Sequence, residues 1–167
     1  MLKVETTSLP GVLIVHPPTQ FEDFRGTYTE IYNQELYSAA GITDSFIQDC
    51  SSVSQQNVLR GIHGDGTTTK LVSCLLGSVY AVVVCNDPAS PSFRKWQGFT
   101  LSSANRQQLY VPPKHGNAYL VMSDVSVYHY KQTTNYDRGL QFTLKWNDPA
   151  LAIHWPIKNP ILSERDA

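Results

Sequence analysis

The stretch from Leu59 to Leu71 carries the side chains best suited to chemistry on an anionic ligand. It reads LRGIHGDGTTTKL and brings Arg60, His63 and Lys70 close together in the sequence. Arginine and lysine supply fixed positive charge, and histidine titrates near neutral pH. Two cations beside a titratable group predict a site that binds an anion and moves a proton.

Each of these residues also has a less specific interpretation. A lone histidine on a strand is more often structural, and a single lysine or arginine is usually a solvated surface charge. The close spacing of Arg60 and Lys70 around His63 favours a functional interpretation. Arg25, in a turn nearer the N-terminus, adds a third candidate anion contact. A phosphate-bearing ligand is the class that these cations predict.

A second polar cluster lies on the strand predicted at Val125–Thr133. Side chains alternate between the two faces of a strand, so Tyr128 and Tyr130 share one face, and His129 and Lys131 share the other. Buried tyrosines are usually core residues, but a phenol on a polar face can protonate a carbanion from the side opposite a base. Tyr130 is therefore a candidate general acid.

Strand parity sets a condition on the strand predicted at Val58–His63. Arg60 and His63 have opposite parity, so a regular strand would direct them to opposite faces. They serve one site only if the backbone bulges near Gly61, or if each contacts a different part of the ligand. Both arrangements are compatible with the sequence.

The composition is that of a small globular protein without a strong electrostatic bias. The chain has 167 residues and a formal net charge of −1, which argues against a nucleic-acid-binding or membrane-binding surface. No apolar run is long enough to cross a bilayer. We expect one domain over residues 1–167, located in the cytoplasm. Cys50, Cys74 and Cys85 have no CxxC spacing and are predicted to be unpaired.

Short β-type runs separated by Gly, Pro, Asn and Ser predict an all-β fold, an antiparallel double-sheet jelly roll. The one helix is expected at Asn33–Ala40, capped by Asn33 and ended by Gly41. The tail from Asn147 to Ala167 contains three prolines and is expected to wrap the barrel. Strands are predicted at Gly11–His16, Thr27–Tyr32, Phe46–Ser54, Val58–His63, Lys70–Leu75, Val79–Cys85, Phe93–Leu101, Gln107–Val111, Ala118–Met122, Val125–Thr133 and Leu140–Lys145.

Metal binding is the main alternative use of the His63 segment. Jelly rolls often hold a metal on an HxH pair, whereas His63 and Asp65 form only an HxD pair. With His115 as a distant third ligand, these side chains could hold a metal on one face. The ammonium of Lys70 would compete with that metal, so the metal site is the less favoured interpretation.

A series of short motifs runs through nearly the whole chain, from Gly11 to Asp166. They are Asp23-Phe24-Arg25-Gly26 with Glu30, Gln48-Asp49 with Ser52 and Ser54, Leu59-Arg60-Gly61-Ile62-His63, Lys70-Leu71-Val72, Ser90-Pro91-Ser92-Phe93, Leu109-Tyr110-Val111-Pro112, Tyr130-Lys131 with Tyr136, Trp146-Asn147-Asp148-Pro149, Ile153-His154-Trp155-Pro156 and Leu162-Ser163-Glu164-Arg165-Asp166. Each is weak alone. Their order and spacing resemble those of the cupin-fold epimerases of nucleotide-linked 4-keto-6-deoxy sugars, typified by dTDP-4-dehydrorhamnose 3,5-epimerase.

The resemblance implies a cupin-type antiparallel jelly-roll barrel with one short N-terminal helix, and a role for each matching residue. His63 resembles the general base, and Asp166 the carboxylate that orients it. Tyr130 resembles the general acid, and Lys70 the lysine near the substrate ketone. The residues matching binding positions are Arg25 and Arg60 at the diphosphate, Glu30 and Gln48 at the nucleotide, and Asn117 and Tyr136 at the sugar.

The resemblance also implies the reaction and the partners. A C4 ketone acidifies the protons on C3 and C5, so a base can remove one and an acid can return it on the opposite face. The implied substrate is a nucleotide sugar, and the family uses no metal or redox cofactor. A homodimer with exchanged N-terminal strands is expected.

Several positions depart from the family pattern around the sugar and nucleotide. Cys50 stands where asparagine is frequent, Asn117 replaces a second active-site histidine, and Gln141 replaces a glutamate. The loop from Gly64 to Thr69 is shorter than usual. Because Asn117 cannot titrate, we expect inversion of one carbon only, or of C3 and C5 at very different rates.

The Ile-His-Gly-Asp and Gly-Asn-Ala variants of this chain resemble the branch that acts on GDP-linked 4-keto-6-deoxy-heptoses. We therefore predict a GDP-4-keto-6-deoxy-heptose epimerase of surface polysaccharide (capsule) biosynthesis. The alternatives are a dTDP-4-dehydrorhamnose 3,5-epimerase, a 3,4-ketoisomerase of the same sugars, and a non-catalytic cupin that binds a nucleotide sugar.

Overall fold

The structure, a computed structural model, describes residues 2–18 and 20–167. These residues form an α-helix, α1 (Gln34–Ala39), and a short 3₁₀ helix at Arg138–Leu140. The strands are β1 (Lys3–Thr6), β2 (Leu13–His16), β3 (Gln20–Asp23), β4 (Gly26–Thr29), β5 (Gln48–Gln55), β6 (Leu59–Gly64), β7 (Lys70–Leu76), β8 (Ser78–Cys85), β9 (Trp96–Ser102), β10 (Gln108–Val111), β11 (His115–Val121), β12 (Val125–Gln132) and β13 (Phe142–Thr143).

The strands form two large antiparallel sheets and a separate hairpin. The first sheet has six strands in the order β1-β2-β10-β7-β12-β5, and the second has five in the order β13-β6-β11-β8-β9. β3 and β4 pair only with each other. The predicted all-β class with a short helix is confirmed, and the described strands are grouped in two sheets rather than in one closed barrel.

The main hydrophobic core lies between the two large sheets. Val72 and Leu109 of the six-stranded sheet pack in one cluster with Val83 and Leu101 of the five-stranded sheet. All four side chains are fully buried. Burial of apolar surface is the dominant stabilising term in folding. This core holds the two sheets face to face, so a cavity between them has one sheet on each side.

The helix begins and ends as the sequence predicts. The side chain of Asn33 accepts hydrogen bonds from the backbone N–H groups of Glu35 and Leu36 at the helix N-terminus. Gly41 follows the helix with a φ of +92°, a conformation that favours glycine. Tyr37 is the buried residue of the helix and packs under the six-stranded sheet.

Most of the predicted strands are present. The differences are two polar strands that were not predicted and two predicted strands whose first residues form turns. β1 and β3 were not predicted, because KVET and QFED lack a regular apolar alternation. The strand predicted from Phe93 begins only at Trp96, since turn hydrogen bonds occupy the residues before it. The strand predicted at Leu140–Lys145 is a 3₁₀ turn followed by the two-residue strand β13.

The C-terminal tail runs over the five-stranded sheet with little regular structure, as predicted. Ile161 donates a backbone hydrogen bond to Asn57 and accepts one from Leu59 at the start of β6. These contacts carry the chain end alongside β6, so Asp166 arrives beside His63. None of the described helices is long and apolar enough to span a membrane.

Candidate active site

A cavity of about 330 Å³ opens between the two sheets and collects most of the sequence-predicted residues. Its walls come from β5, β7 and β12 of the six-stranded sheet, from β6 and β11 of the five-stranded sheet, and from the C-terminal tail. The lining residues are Ser51, Ser52, Arg60, His63, Lys70, Asn117, Tyr119, Tyr128, Tyr130, Tyr136, Gln141, Ser163, Arg165 and Asp166. A larger cavity of about 520 Å³ beside the β3–β4 hairpin is lined by other residues.

His63 and Asp166 form a hydrogen-bonded pair in the cavity wall. Nε2 of His63 lies 2.6 Å from Oδ1 of Asp166. The other carboxylate oxygen accepts from the Ser163 hydroxyl at 3.0 Å and the Gly61 N–H at 3.4 Å. Asp166 is buried, and its contacts with His63, Ser163 and Gly61 fix the position of its carboxylate. The Nε2 contact leaves Nδ1 as the ring nitrogen not used by Asp166.

The electrostatic environment of His63 favours the neutral imidazole. Burial lowers the pKa of His63, the Asp166 carboxylate opposes that effect, and the nearby charges of Arg165 and Lys70 add to the lowering. A base must be neutral before it accepts a proton, and a carboxylate partner stabilises the imidazolium that forms. This pair therefore has the properties of a base active at neutral pH.

A bulge in β6 directs Arg60 and His63 into the same cavity. His63 pairs with Asn117, and Arg60 pairs with Tyr119, so two β6 residues oppose a single β11 residue. Gly61 has a φ of +110°, and a Cβ there would lie 2.6 Å from the Asn117 carbonyl oxygen. Only glycine fits this position. The bulge near Gly61, one of the two arrangements compatible with strand parity, is therefore confirmed.

Lys70 and Tyr130 lie together on the six-stranded sheet. Nζ of Lys70 is 5.8 Å from the centre of the Tyr130 ring. Burial lowers the pKa of Lys70, an effect that Asp65 opposes. Burial also raises the pKa of Tyr130. The phenol is therefore protonated at neutral pH, as a general acid must be.

The floor of the cavity is a stacked pair of tyrosines. The Tyr119 and Tyr128 rings are 3.9 Å apart at an angle of 16°. The Tyr119 hydroxyl shares a 2.6 Å hydrogen bond with Ser52, and the Tyr128 hydroxyl donates to the side-chain oxygen Oδ1 of Asn117 at 3.0 Å. Asn117 is thus fixed by its neighbours and presents to the cavity an amide, which cannot titrate.

Arg165 lines the cavity, and the sequence analysis gave it no role. Its guanidinium donates to Thr143 and to Gln141, and one N–H lies 3.4 Å from the Tyr136 hydroxyl. With Arg60, it gives the cavity a second arginine able to bind an anion. Arg165 directly precedes Asp166 in the sequence, and that position was the one sequence feature that could have indicated its place at the cavity.

Arg60 and Gln48 each hold a neighbouring segment. The Arg60 Nε–H donates to the Ser54 hydroxyl at 3.1 Å. The side-chain oxygen Oε1 of Gln48 accepts from the Gln132 side-chain amide at 2.8 Å and from the Tyr136 backbone N–H at 2.7 Å. Gln48 therefore fixes the segment that brings Tyr136 to the cavity.

Arg25 and Glu30, the other two predicted binding residues, do not line the cavity of their own chain. Arg25 lies in the β3–β4 turn, where it pairs with Asp23 and its side chain is 78% exposed. Glu30 follows β4 and accepts a long hydrogen bond from Asn33. Arg25 is thus in the β3–β4 hairpin and Glu30 directly follows it, and neither lines the cavity that contains His63.

The predicted metal ligands are not brought together. Across residues 2–18 and 20–167, no three His, Cys, Asp or Glu side chains are grouped to hold a metal ion. The Asp65 carboxylate instead accepts from the backbone N–H groups of Thr67 and Thr68. The loop after β6 is therefore ordered by Asp65, which is a structural use of that residue.

The arrangement can move a proton across a bound ligand. The candidate base His63 projects from the five-stranded sheet, and the candidate acid Tyr130 from the six-stranded sheet. A ligand between them would have a base on one side and an acid on the other. Lys70 adds a half-buried cation beside the acid, and the arginines add positive charge for an anionic group.

Comparisons with known proteins agree with this geometry. Residues 6–167 match the family model of dTDP-4-dehydrorhamnose 3,5-epimerase. The dTDP-4-dehydrorhamnose 3,5-epimerase of Escherichia coli strain K12 is 40% identical over 99% of this chain and 91% of its own length.

Two crystal structures are similar throughout. A dTDP-6-deoxy-D-glucose-3,5-epimerase from Legionella pneumophila, in complex with dTDP-4-keto-L-rhamnose, has a TM-score of 0.93 and 35% identity over 99% of this chain and 90% of its own. A dTDP-4-dehydrorhamnose 3,5-epimerase from Bacillus anthracis, with TDP and pyrophosphate bound, has a TM-score of 0.94 and 34% identity over 99% and 97%.

These relatives are named for dTDP sugars, and they give no support to the predicted GDP-heptose branch or to a role in capsule synthesis. They support the alternative that was set beside it. The match over nearly the whole chain, together with a cavity that holds the predicted residues, leads to one conclusion: the chain belongs to the dTDP-4-dehydrorhamnose 3,5-epimerase family and is an isomerase of nucleotide sugars.

Proposed function

We propose that this chain is a cofactor-independent 3,5-epimerase of a dTDP-linked 4-keto-6-deoxyhexose, of the dTDP-4-dehydrorhamnose type. The observation that carries the proposal is the placement of His63 and Tyr130 on opposite walls of one cavity. Inversion of a carbon needs a base on one face of the sugar ring and an acid on the other. The relatives support dTDP as the nucleotide.

His63 removes the proton next to the C4 ketone. Its neutral form prevails at neutral pH, because burial lowers its pKa. Asp166 holds the ring by the 2.6 Å contact at Nε2 and stabilises the imidazolium that results. Nδ1 is then the nitrogen that accepts the substrate proton. Removal of the proton leaves an enolate with its charge on the C4 oxygen.

Lys70 stabilises that enolate oxygen. The half-buried ammonium lies on the wall that carries Tyr130, where a charge is less screened than in water. A preorganised donor of this kind contributes on the order of a few kcal/mol to transition-state stabilisation. Tyr130 then gives its proton to the opposite face of the carbon. Solvent must afterwards remove the proton from His63 and return one to Tyr130.

The nucleotide diphosphate binds the arginines at the cavity. Arg60 and Arg165 both line it, and guanidinium groups form paired hydrogen bonds with phosphate. Gln48 and Tyr136 form the adjoining edge, where a nucleotide base can pack on the half-exposed Tyr136 ring. The GDP-heptose prediction, which came from the Ile-His-Gly-Asp and Gly-Asn-Ala variants, has no support from the relatives, and a GDP sugar therefore serves as the comparison substrate.

A homodimer with exchanged N-terminal hairpins completes the site in this proposal. Arg25 lies far outside its own cavity in a hairpin whose aromatic residues are exposed: Phe21 is 66%, Phe24 98% and Tyr28 66% exposed. Exposed aromatic residues in such a group are typical of an interaction surface. A partner cavity that receives this hairpin would gain Arg25 and Glu30 as ligand contacts. The cytoplasmic location stays a prediction.

The experiment is a parallel incubation with dTDP-4-keto-6-deoxyglucose and a GDP-4-keto-6-deoxy-heptose, with the products identified by NMR. We expect conversion of the dTDP substrate to a sugar inverted at C3, C5 or both, with the carbonyl still at C4. Exclusive conversion of the GDP sugar would overturn the dTDP assignment. A carbonyl moved to C3 would indicate a ketoisomerase, and binding without conversion would indicate a non-catalytic cupin.

A further inference from the structure

Three oxygen acceptors hold the guanidinium of Arg165 at the cavity. Its Nη2 group donates to Oε1 of Gln141 and to the Thr143 hydroxyl, each at 3.2 Å. Its Nε donates to the same hydroxyl at 3.3 Å, and Nη1 lies 3.4 Å from the Tyr136 hydroxyl. Arg165, Gln141 and Tyr136 all line the cavity. The position of this cation beside a bound ligand therefore depends on these acceptors.

The segments on both sides of Arg165 are attached to the candidate base. Gln141 directly follows the short 3₁₀ helix, and Thr143 lies two residues further on, in β13, where it pairs with His63 of β6. Asp166, the residue after Arg165, contacts the same His63 at 2.6 Å. The acceptors and the cation are thus held in one place by the same strand.

None of the three acceptors is a carboxylate, since one is an amide oxygen and two are hydroxyl oxygens. The carboxylate of the adjacent Asp166 is hydrogen-bonded to His63 and Ser163. Among the residues that the structure describes, no ion pair includes Arg165. The half-buried guanidinium is held by neutral groups, which leave its charge uncompensated.

The lining of the cavity contains more basic than acidic side chains. Arg60, Lys70 and Arg165 line it, and Asp166 is the one carboxylate among the described lining residues. That carboxylate is already in contact with His63. A cleft lined mainly by charges of one sign attracts ligands of the other sign. The excess of positive charge fits a ligand that carries more than one negative charge, such as a nucleoside diphosphate.

We propose that Gln141 is a positioning residue that holds the Arg165 guanidinium at the cavity and leaves its charge available to the diphosphate of the ligand. The inference rests on the proposed function, in which the diphosphate binds the arginines. A glutamate side chain at position 141 would have the same length and could make the same contact. Its carboxylate would also place a negative charge beside the guanidinium and weaken the attraction for phosphate. The amide makes the contact without that charge.

The test uses two substitutions that a structural role and an electrostatic role rank in opposite order. Gln141→Glu keeps the shape of the side chain and adds a negative charge, whereas Gln141→Ala removes the contact and adds no charge. Gln55→Glu is the matched control, because it adds the same charge at the exposed last residue of β5. The Kd values of dTDP and of pyrophosphate are measured by titration calorimetry. The constants kcat and KM are measured on dTDP-4-keto-6-deoxyglucose.

For Gln141→Glu we expect the Kd of both ligands to rise about fivefold, the order expected for an ion pair that solvent partly screens. KM rises with it and kcat is unchanged, because the diphosphate is bound equally in the ground state and in the transition state. Gln141→Ala gives a smaller rise, since the contacts of Arg165 with Thr143 remain. Gln55→Glu keeps the wild-type values.

A larger rise in Gln141→Ala than in Gln141→Glu would overturn the proposal, because that order belongs to a merely structural role. An equal rise in Gln141→Glu and Gln55→Glu would also overturn it, since the effect would then come from the net charge of the protein. So would a fall in kcat with KM unchanged, which would place the effect at the reacting carbon.

The two proposals fail in different ways. If the wild type inverts none of the nucleotide sugars, the proposed function is wrong. If the wild type inverts the dTDP sugar, and Gln141→Glu keeps the wild-type Kd for dTDP and for pyrophosphate, the epimerase stands and the role of Gln141 is wrong.

Discussion

Nε2 of His63 lies 2.6 Å from Oδ1 of Asp166, although 103 positions separate the two residues in the chain. His63 is held by a β6 strand that bulges at Gly61, and Asp166 is held by a tail that follows β6 through Ile161. The Gly61 N–H also donates to the Asp166 carboxylate. The bulge and the chain end therefore form one unit, and the candidate base depends on both.

The first prediction concerns the pH dependence of Asp166→Asn. Asp166 raises the pKa of His63 against the larger lowering by burial, so its neutralisation lowers that pKa further. A base acts when deprotonated, above its pKa, so the acidic limb of kcat/KM moves to lower pH. The plateau rate falls by about a hundredfold, because the imidazolium loses its carboxylate.

The measurement is a pH profile of epimerisation for the wild type, Asp166→Asn and the exposed control Asp124→Asn. We expect Asp124→Asn to have the same acidic limb of kcat/KM and the same plateau rate as the wild type. A limb displaced to higher pH in Asp166→Asn would contradict the assignment of His63 as the base.

The second prediction concerns Gly61→Ala in the β6 bulge. A Cβ at Gly61 would lie 2.6 Å from the Asn117 carbonyl oxygen and 2.8 Å from the Ala118 Cα, at a positive φ. We expect the free energy of unfolding to fall by about 1–3 kcal/mol and activity to be lost with it. Gly66→Ala is the matched control, because its Cβ meets nothing within 4 Å. The free energy of unfolding of both variants is measured by denaturant titration. Equal values would contradict the claim that the bulge requires glycine at position 61.

The third prediction concerns the charge of Lys70. Lys70→Met keeps an unbranched side chain of similar length and removes the ammonium. We expect kcat to fall by about a hundredfold with a smaller change in KM, since the charge acts on the developing enolate. Lys158→Met, at an exposed position of the tail, leaves both constants unchanged. A rise in KM with kcat intact would mean that Lys70 binds the ground state only.

The fourth prediction tests the exchanged hairpin. Arg25→Ala and His63→Asn are each expected to be poorly active as homodimers. A heterodimer, co-expressed with two affinity tags, has one cavity with an intact His63 that receives Arg25 from the partner. Activity therefore recovers in the heterodimer to about half that of the wild type, because one of two sites is complete. No recovery would mean that Arg25 does not serve the partner's cavity.

Much of the candidate site was predictable from strand periodicity. The alternation in β12 identified the face that carries Tyr128 and Tyr130. The parity conflict between Arg60 and His63 indicated a bulge near Gly61 as one of two possible arrangements. Both follow from local backbone geometry. The contact between His63 and Asp166 depends on the path of the tail, so only the resemblance to a family indicated it.

Other features depend on pairings that a local pattern does not encode. β3 is exposed along its length and is a strand only because β4 returns beside it. Arg165 reaches the cavity through hydrogen bonds to Thr143 and Gln141, which are distant in sequence. The separation of Arg25 from the cavity follows from where the hairpin lies, which depends on tertiary contacts.

The most direct test of the epimerase account is deuterium incorporation from heavy water into dTDP-4-keto-6-deoxyglucose, followed by mass spectrometry for the wild type, His63→Asn and Tyr130→Phe. The wild type is predicted to gain deuterium together with inversion, one deuteron well before any second. Tyr130→Phe is predicted to exchange without inverting, and His63→Asn to do neither while still binding dTDP. Inversion without deuterium, or full exchange in His63→Asn, would contradict proton abstraction by His63.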